Sequence, residues 1–330
     1  MAIKNRAKNL GLRVKNNFGR VGVLIGGPST ERTISLKSGK AVAQALKEEG
    51  LETVALDIKT NDLCQNIRLI KDSGIDIAFI ALHGRFGEDG QIQQVLEALD
   101  IPYTGSGVMP SRLALDKIAS RQIFQIYGLI VPRYKIIHKL SYNKYPLLLL
   151  NGFSFPLVIK PATHGSSIGL SIIDSRRELK RALDLAFSFD EYILIEEYLK
   201  GREITVGILN NMPLPVIEIK PKRKFFDYQA KYKPGMANYI VPAIIKKEIS
   251  QRVKQHGLLA HRFLGCEGFS RVDMILKNSQ PYILEVNTIP GLTQTSLLPK
   301  AAKVIGLSFN QLCLHLLELA YEKKKIKNTR

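Results

Sequence analysis

Cysteine is scarce in this chain, and the marks of a secreted or membrane protein are missing with it. Cys64, Cys266 and Cys313 are the only three in 330 residues. Their odd number and wide spacing exclude a disulfide framework and predict reduced, buried thiols in a cytoplasmic protein. No apolar run approaches the roughly 18 residues that a membrane helix requires, so no membrane partner is expected. The N-terminus lacks the continuous apolar core of a signal peptide, since Ile3, Leu10, Leu12 and Val14 are scattered among Lys, Arg and Asn. No acid precedes Glu31, yet that segment is too rich in Asn and too poor in Ser for a transit peptide. None of the six histidines has metal-ligand spacing, and no Ser-His-Asp or Cys-His pattern stands out.

What is present is an ordinary globular composition, with 45% hydrophobic and 23% charged residues, in a chain long enough for two or three domains. The formal net charge is +19. About half of that excess sits on two tails, Lys4 to Arg20 and Lys323 to Arg330. Aromatics are not interleaved with the basic residues of either tail, so specific nucleic-acid binding is not expected. Solvated tails and a field that attracts anionic substrates are the simpler reading.

Strand and helix patterns alternate through the first hundred residues. "RVGVLIGG" (20–27), "ETVALDI" (52–58) and "IDIAFIAL" (75–82) read as strands, with helices over 35–50 and 90–100 between and after them. That alternation predicts a parallel sheet with covered faces, ending near Ser111. A helix is expected over 112–127. Strands follow at "FPLVIKP" and "LSIID", then a helix at 175–187 and the strand "YILIEEYL" (192–199). The last part holds "EITVGILN" and "PLPVIEI", a loop over 221–240 and a helix near 247–264. After these come the strands of "SRVDMILKNSQPYILEVNT" (270–288) and terminal helices.

The stretch 270–288 raises the sharpest question, because four polar side chains ride on runs built to be buried. Residues two apart on a strand share a face, so Arg271 projects with Asp273 and Glu285 with Asn287. If the two strands pair across the short "KNSQP" turn, all four converge. Two carboxylates and an amide oxygen suit Mg²⁺, usually completed by phosphate oxygens and water. A neighbouring arginine can stabilise charge on a transferred phosphoryl group. A simple Arg271–Asp273 ion pair is the plainer alternative, but it leaves a second acid and an amide on that face unexplained.

Three further segments add chemistry. In "VIKPATHGSSIG" (158–169) Lys160 ends a buried strand and a Gly-Ser loop follows. Glycines let backbone N–H groups close around phosphate, although the order is not that of a Walker A loop. In "LIEEYLKGRE" (194–203) two acids end a strand, suited to the edge of a base and to ribose hydroxyls. "IGGPSTERTIS" (25–35) looks like a phosphate turn, yet Glu31 would repel an anion and suits an ammonium group instead. "ALHGRFGEDG" (81–90) puts His83 directly after a buried strand, where parallel sheets place ligand contacts.

Taken in order, "GGPSTER", "ALHGRFGEDG", "PYTGSG", "VIKP…GSSIG", "FFDYQAKY", "RVD" and "LEVNTIPGLTQTS" make the chain resemble the D-alanine–D-alanine ligases of the ATP-grasp superfamily, from about Val21 to Ala320. The resemblance implies an α/β fold of three-domain ATP-grasp architecture with an N-terminal parallel-sheet domain. Expected bounds are a basic extension 1–20, a substrate-binding domain 21–111, a central domain 112–204, and a C-terminal domain 205–330 with a mobile loop 221–240. It also implies ATP and two Mg²⁺ (or Mn²⁺) as cofactors, two D-alanines as substrates, a cytoplasmic location, and an assembly left open up to a homodimer.

Residue roles follow by the same resemblance. Lys117 and Lys160 would bind ATP phosphates, and Glu196, Glu197, Leu199 and Glu203 would hold adenine and ribose. Asp273, Glu285 and Asn287 would bind the metals. Glu31 would pair with the first ammonium group, near His83 and the Gly291 backbone. Arg271 would stabilise the acyl phosphate and the tetrahedral intermediate, and Ser296 and Leu297 would lie near the second carboxylate. Tyr232 would hydrogen-bond Ser166 and through it Glu31, and Lys231 would reach the transferred phosphoryl. Relatives that make the D-alanyl–D-lactate ester lack a tyrosine at the position of Tyr232. Other ATP-grasp ligases would share the nucleotide and metal residues but not Glu31, Ser166 and Tyr232 together. The chain departs from the family pattern at His164, where other residues are usual, and at Gln229, where Glu is common.

Overall fold

The computed structural model describes residues 18–144, 150–221 and 237–328. It is organised around three sheets that follow one another along the chain. The first is parallel, in the order β2-β1-β3, with β1 (Val21–Gly26) between β2 (Thr53–Ile58) and β3 (Ile77–Ile80). Every residue of β1 and β3 is buried, as expected of parallel strands covered on both faces. Helix α1 (Arg32–Glu48) links the first pair. Helices α2 (Leu63–Asp72) and α3 (Gln91–Ala98) follow β2 and β3.

The second sheet is antiparallel, in the order β4-β7-β5-β6. It consists of β4 (Tyr134–His138), β5 (Leu157–Pro161), β6 (Ser171–Ile173) and β7 (Tyr192–Glu197). The third is also antiparallel and larger, running β11-β10-β8-β12-β13 with β9 beside β8. Its strands are β8 (Arg202–Leu209), β9 (Met212–Pro213), β10 (Ile217–Pro221), β11 (Ala237–Ile240), β12 (Phe269–Lys277) and β13 (Gln280–Asn287).

Where the sequence reads as one helix over 112–127, the structure has two. Helix α4 (Val108–Leu115) stops at Asp116, whose backbone is extended and whose carboxylate accepts the N–H groups of Ile118 and Ala119. That cap starts α5 (Lys117–Ile126) afresh and sets Lys117 at its first position. Ala114 and Phe124 from these two helices are buried with Val206, Val272 and Val286 of the third sheet. Two other readings need correction. Cys64, at the exposed start of α2, is not buried, although Cys266 and Cys313 are. The segment 221–240 is not loop throughout, because Ala237–Ile240 forms β11 against β10. Lys231, Tyr232 and Gln229 lie outside the described residues.

The first and third sheets share a core. Val21, Val23 and Phe79 of the first pack in one cluster with Leu209, Ile217 and Phe269 of the third. Helices α6 (Lys139–Lys144), α7 (Leu179–Phe187) and α8 (Lys247–Phe263) follow α5 along the chain. The terminal helices α9 (Leu297–Val304) and α10 (Phe309–Asn328) contribute Leu298, Leu312 and Leu317 to the same cluster. Among the described residues no single helix is long and apolar enough to cross a membrane.

Candidate active site

The ribbon β12-β13 lies at the centre of the site. Its antiparallel register sets Arg271 opposite Asn287 and Asp273 opposite Glu285, with a bulge between Asp273 and Met274. All four side chains therefore gather as the strand periodicity requires. Arg271 grips Asp273 with both arms of its fork, Nε to Oδ1 at 2.9 Å and Nη2 to Oδ2 at 2.7 Å. Thr205 Oγ1 donates to Asp273 Oδ1 at 2.6 Å, and Asn287 Nδ2 to Oδ2 at 3.1 Å. The simple ion pair is thus present, and the second acid and the amide stand beside it.

Two cavities of similar size flank this ribbon. One, of about 520 Å³, is lined by Asp273 and Glu285 together with Lys117, Lys160, Glu196, Glu197, Leu199 and Glu203. The other, of about 530 Å³, is lined by Arg271 and Asn287 together with Glu31, His83, Ser166, Gly291, Ser296 and Leu297. Apart from Lys231 and Tyr232, every residue given a site role in the sequence analysis lines one cavity or the other.

The first cavity is edged with buried cations. Lys117 Nζ donates to the His164 carbonyl at 2.5 Å and stands 3.8 Å from Glu285 Oε2. Lys160 Nζ lies 3.0 Å from Glu196 Oε1, and burial pushes its ammonium down to about 8 against the pull of Glu196. Glu197 is already engaged, since its Oε1 accepts the Arg133 N–H at 3.0 Å. Asp273 and Glu285 are hard oxygen donors on the edge of this cavity beside Lys117 and Lys160, a set that fits Mg²⁺ shared with phosphate.

The second cavity begins at the first turn of α1. Glu31 precedes that helix and accepts a hydrogen bond from Ser166 Oγ. Gly84 packs directly against this carboxylate, for a Cβ there would come within 2.6 Å of Glu31 Oε2. His83 is fixed at both ring nitrogens, Nε2 to Ser38 Oγ at 3.1 Å and Nδ1 to the Ile289 carbonyl at 3.1 Å. Burial pushes its imidazole below the ordinary 6.5, although Glu31 pulls the other way. At the far side Ser296 precedes α9, whose first residue is Leu297. A helix start is a favourable place for a carboxylate.

Two residues of the site escaped the sequence reading. Glu88 lines the second cavity, and removal from water together with the nearby charge of Glu31 pushes its carboxyl up to about 8. Arg121 is wholly buried and places Nη2 2.9 Å from Glu196 Oε1.

Comparison with known proteins agrees with this arrangement. Residues 123–318 match the family model for the D-ala D-ala ligase C-terminus, and residues 63–106 match the model for its N-terminus. A D-alanine–D-alanine ligase of Trichlorobacter lovleyi is 48% identical over 299 residues, covering 89% of this chain and 92% of that protein. The chain belongs to the D-alanine–D-alanine ligase family. The D-alanine–D-alanine ligase of Bacillus anthracis, solved in complex with ATP, superposes with a TM-score of 0.81 at 33% identity, over 93% of this chain and 99% of that one. A D-Ala:D-Ser ligase of Enterococcus faecalis superposes with a TM-score of 0.78 at 30% identity, over 91% of this chain and 99% of that one. The three-sheet arrangement is therefore the ATP-grasp fold that the motifs imply.

Proposed function

We propose that the protein joins two D-alanines into D-alanyl-D-alanine at the expense of ATP, in the cytoplasm, for peptidoglycan precursors. The observation that carries this reading is the pair of cavities meeting at one polar ribbon, with buried Lys117 and Lys160 facing acids on one side and Glu31 and His83 on the other. In our assignment the units 21–111, 112–204 and 205–330 supply the amino-acid wall, the nucleotide wall and the ribbon between them.

In the first step the carboxylate of one D-alanine attacks the γ-phosphorus of ATP, forming an acyl phosphate and releasing ADP. Glu31, held by Ser166, takes its ammonium group, with neutral His83 and the Gly291 backbone beside it. Lys117 and Lys160 hold phosphate oxygens, and by the family resemblance Lys231 would reach the group in transfer. Glu196, Glu197, Leu199 and Glu203 surround base and ribose. Asp273, Glu285 and Asn287 would hold two Mg²⁺, which neutralise phosphate charge when bound.

In the second step the neutral amine of the other D-alanine attacks the acyl carbonyl, and inorganic phosphate leaves with its bonding pair. Arg271 stands where negative charge develops on that carbonyl. The start of α9, with Ser296 and Leu297, takes the second carboxylate. By the family resemblance Tyr232 would be the hydrogen-bond partner of Ser166. Rigid strands hold these groups, which is why polar side chains ride on buried elements.

Release of ADP and phosphate with D-alanine, compared with L-alanine, D-serine and D-lactate, tests the reading. D-Alanine should give one ADP and one phosphate per dipeptide. Turnover only with D-serine or D-lactate as second substrate would reassign the product.

A further inference from the structure

The loops that bring Ser166 and His83 to the second cavity touch each other through a side chain with no role in the chemistry above. Residues 81–90 follow β3, and residues 162–170 follow β5. Arg85 Nη2 donates to Thr163 Oγ1 at 2.9 Å. The same hydroxyl donates to Asp190 Oδ2 at 2.7 Å, and the Thr163 backbone N–H donates to that oxygen at 2.8 Å. Asp190 lies just before β7, and its other oxygen accepts the Glu191 N–H at 3.0 Å. His164 Nδ1 stands 3.8 Å from Asp190 Oδ2. A hydroxyl has one proton to give and lone pairs to receive, and Thr163 uses both between a guanidinium and a carboxylate. Hydrogen bonds to charged partners are the stronger kind.

The segment after Thr163 needs such an anchor. Ser166 and Ser167 both sit in the left-handed region, at φ 51° and 59°, where residues other than glycine persist only when their surroundings hold them. This short stretch serves both cavities. The His164 carbonyl receives Lys117 on the nucleotide side, and Ser166 donates to Glu31 on the amino-acid side. A shift at its base would therefore displace a phosphate-side lysine and the ammonium-binding glutamate together.

We propose that Thr163, clamped between Asp190 and Arg85, is a positioning residue that sets the Gly-Ser loop for both substrates. Arg85 makes that setting depend on the loop of the first sheet. The assignment rests on the ligase reading, since it deepens the roles of Ser166 and Lys117.

Thr163→Val removes the hydroxyl at nearly constant shape. The expected result is a rise of about tenfold in the KM values of ATP and the first D-alanine, the loss that one strong hydrogen bond would give, with kcat reduced much less. Thr163→Ser keeps the hydroxyl and should restore both KM values to within about threefold. ATP affinity, measured by calorimetry without amino acid, should fall in Thr163→Val. Arg85→Met should raise the KM of the first D-alanine and leave ATP affinity nearly unchanged. Wild-type KM values in Thr163→Val overturn the proposal, and so does an equal loss in Thr163→Ser. Should Thr163→Val fail to melt cooperatively, Arg85→Met decides, since that side chain is exposed, and an unchanged D-alanine KM there overturns the coupling. If the unaltered protein makes no dipeptide, the ligase reading fails, while the calorimetric arm still judges Thr163.

Discussion

Arg121 Nη2 lies 2.9 Å from Glu196 Oε1, and neither side chain is more than 3% exposed. Lys160 approaches the same carboxylate oxygen at 3.0 Å. One buried anion thus faces two buried cations, a local excess of one positive charge beside the first cavity. Alone with Lys160, Glu196 would cancel its charge. The guanidinium of Arg121 also stands 5.3 Å from the centre of the Tyr134 ring, a favourable place for a cation.

Removing this guanidinium should be costly. Arg121→Met leaves a buried carboxylate with one partner fewer, and breaking a buried pair costs about 3–5 kcal/mol. Urea denaturation of Arg121→Met should show a loss of that order, and Arg121→Met combined with Glu196→Gln should lose less than Arg121→Met alone. A double variant no more stable than the single one would mean that shape, rather than charge, matters at this position.

Lys160 gives the nucleotide cavity a pH dependence. Burial pushes its ammonium down to about 8, with Glu196 opposing and Arg121 and Lys117 adding to the fall. The group is charged below that value and increasingly neutral above it, and ATP favours the charged form. ATP should bind more tightly at pH 7 than at pH 9, and binding near pH 8 should take up a proton. Calorimetry in two buffers of different ionisation heat reads the uptake directly. Lys160→Met should abolish it.

Parts of this site were legible because they obey local periodicity. Arg271, Asp273, Glu285 and Asn287 sit two apart on strands around a short turn, so their convergence follows from pairing alone. Arg121 was not legible, because within "KIASRQIFQI" it reads as a polar helix position. Its burial comes from packing α5 between β7 and the third sheet. Glu88 reads as a loop acid, and its high carboxyl value arises first from burial and then from Glu31, which is remote in sequence. The break at Asp116 did leave a local trace, an aspartate just before a helical run, which is an N-cap signal overridden by the continuous apolar spacing around it. Thr163, Arg85 and Asp190 come from three separate segments, and nothing in any one of them signals the others.

Glu88 ties stability to pH. Its folded value, about 8, lies above the ordinary 4.5 of a glutamate, first through removal from water and then through Glu31. A group raised in this way stabilises fully below pH 4.5, and its contribution is lost as pH rises through 8. The stability of the unaltered protein relative to Glu88→Gln should therefore decline between pH 5 and pH 8.5. Urea midpoints of both proteins at the two pH values measure this. An identical difference at both would show that Glu88 is ionised throughout.

The basic N-terminus should be dispensable up to a definite residue. Phe18 is buried and meets the Tyr321 ring edge-on at 5.6 Å between centroids. Deleting residues 1–17 should change turnover by less than about tenfold, roughly 1.4 kcal/mol in barrier. Phe18→Ala should instead cost about 3 kcal/mol of stability, the scale of an emptied aromatic site in a core. A thermal melt of both variants separates the two effects. A deletion of 1–17 as damaging as Phe18→Ala would place the extension within the fold.

The choice of second substrate should depend on Tyr232, which we propose as the partner of Ser166 on the family resemblance. The Ser166–Glu31 hydrogen bond is already formed, so the tyrosine has a fixed hydroxyl to meet. An amine nucleophile arrives partly as a cation and must shed a proton, whereas the hydroxyl of D-lactate is neutral at every working pH. In our proposal a Tyr232–Ser166–Glu31 chain would keep a carboxylate near the reacting centre and favour the amine. D-Alanine should outcompete D-lactate at pH 7.5, with its lead growing as pH rises and more amine is neutral. Tyr232→Phe should keep the fold and raise relative use of D-lactate only several-fold, since one hydrogen bond is worth about 0.5–1.5 kcal/mol net. Competition for labelled first-site D-alanine across pH measures both effects. An unaltered protein that prefers the ester at pH 7.5 would remove selectivity from Tyr232 and assign it to the wall formed by Ser296, Leu297 and Lys300, which lines the same cavity.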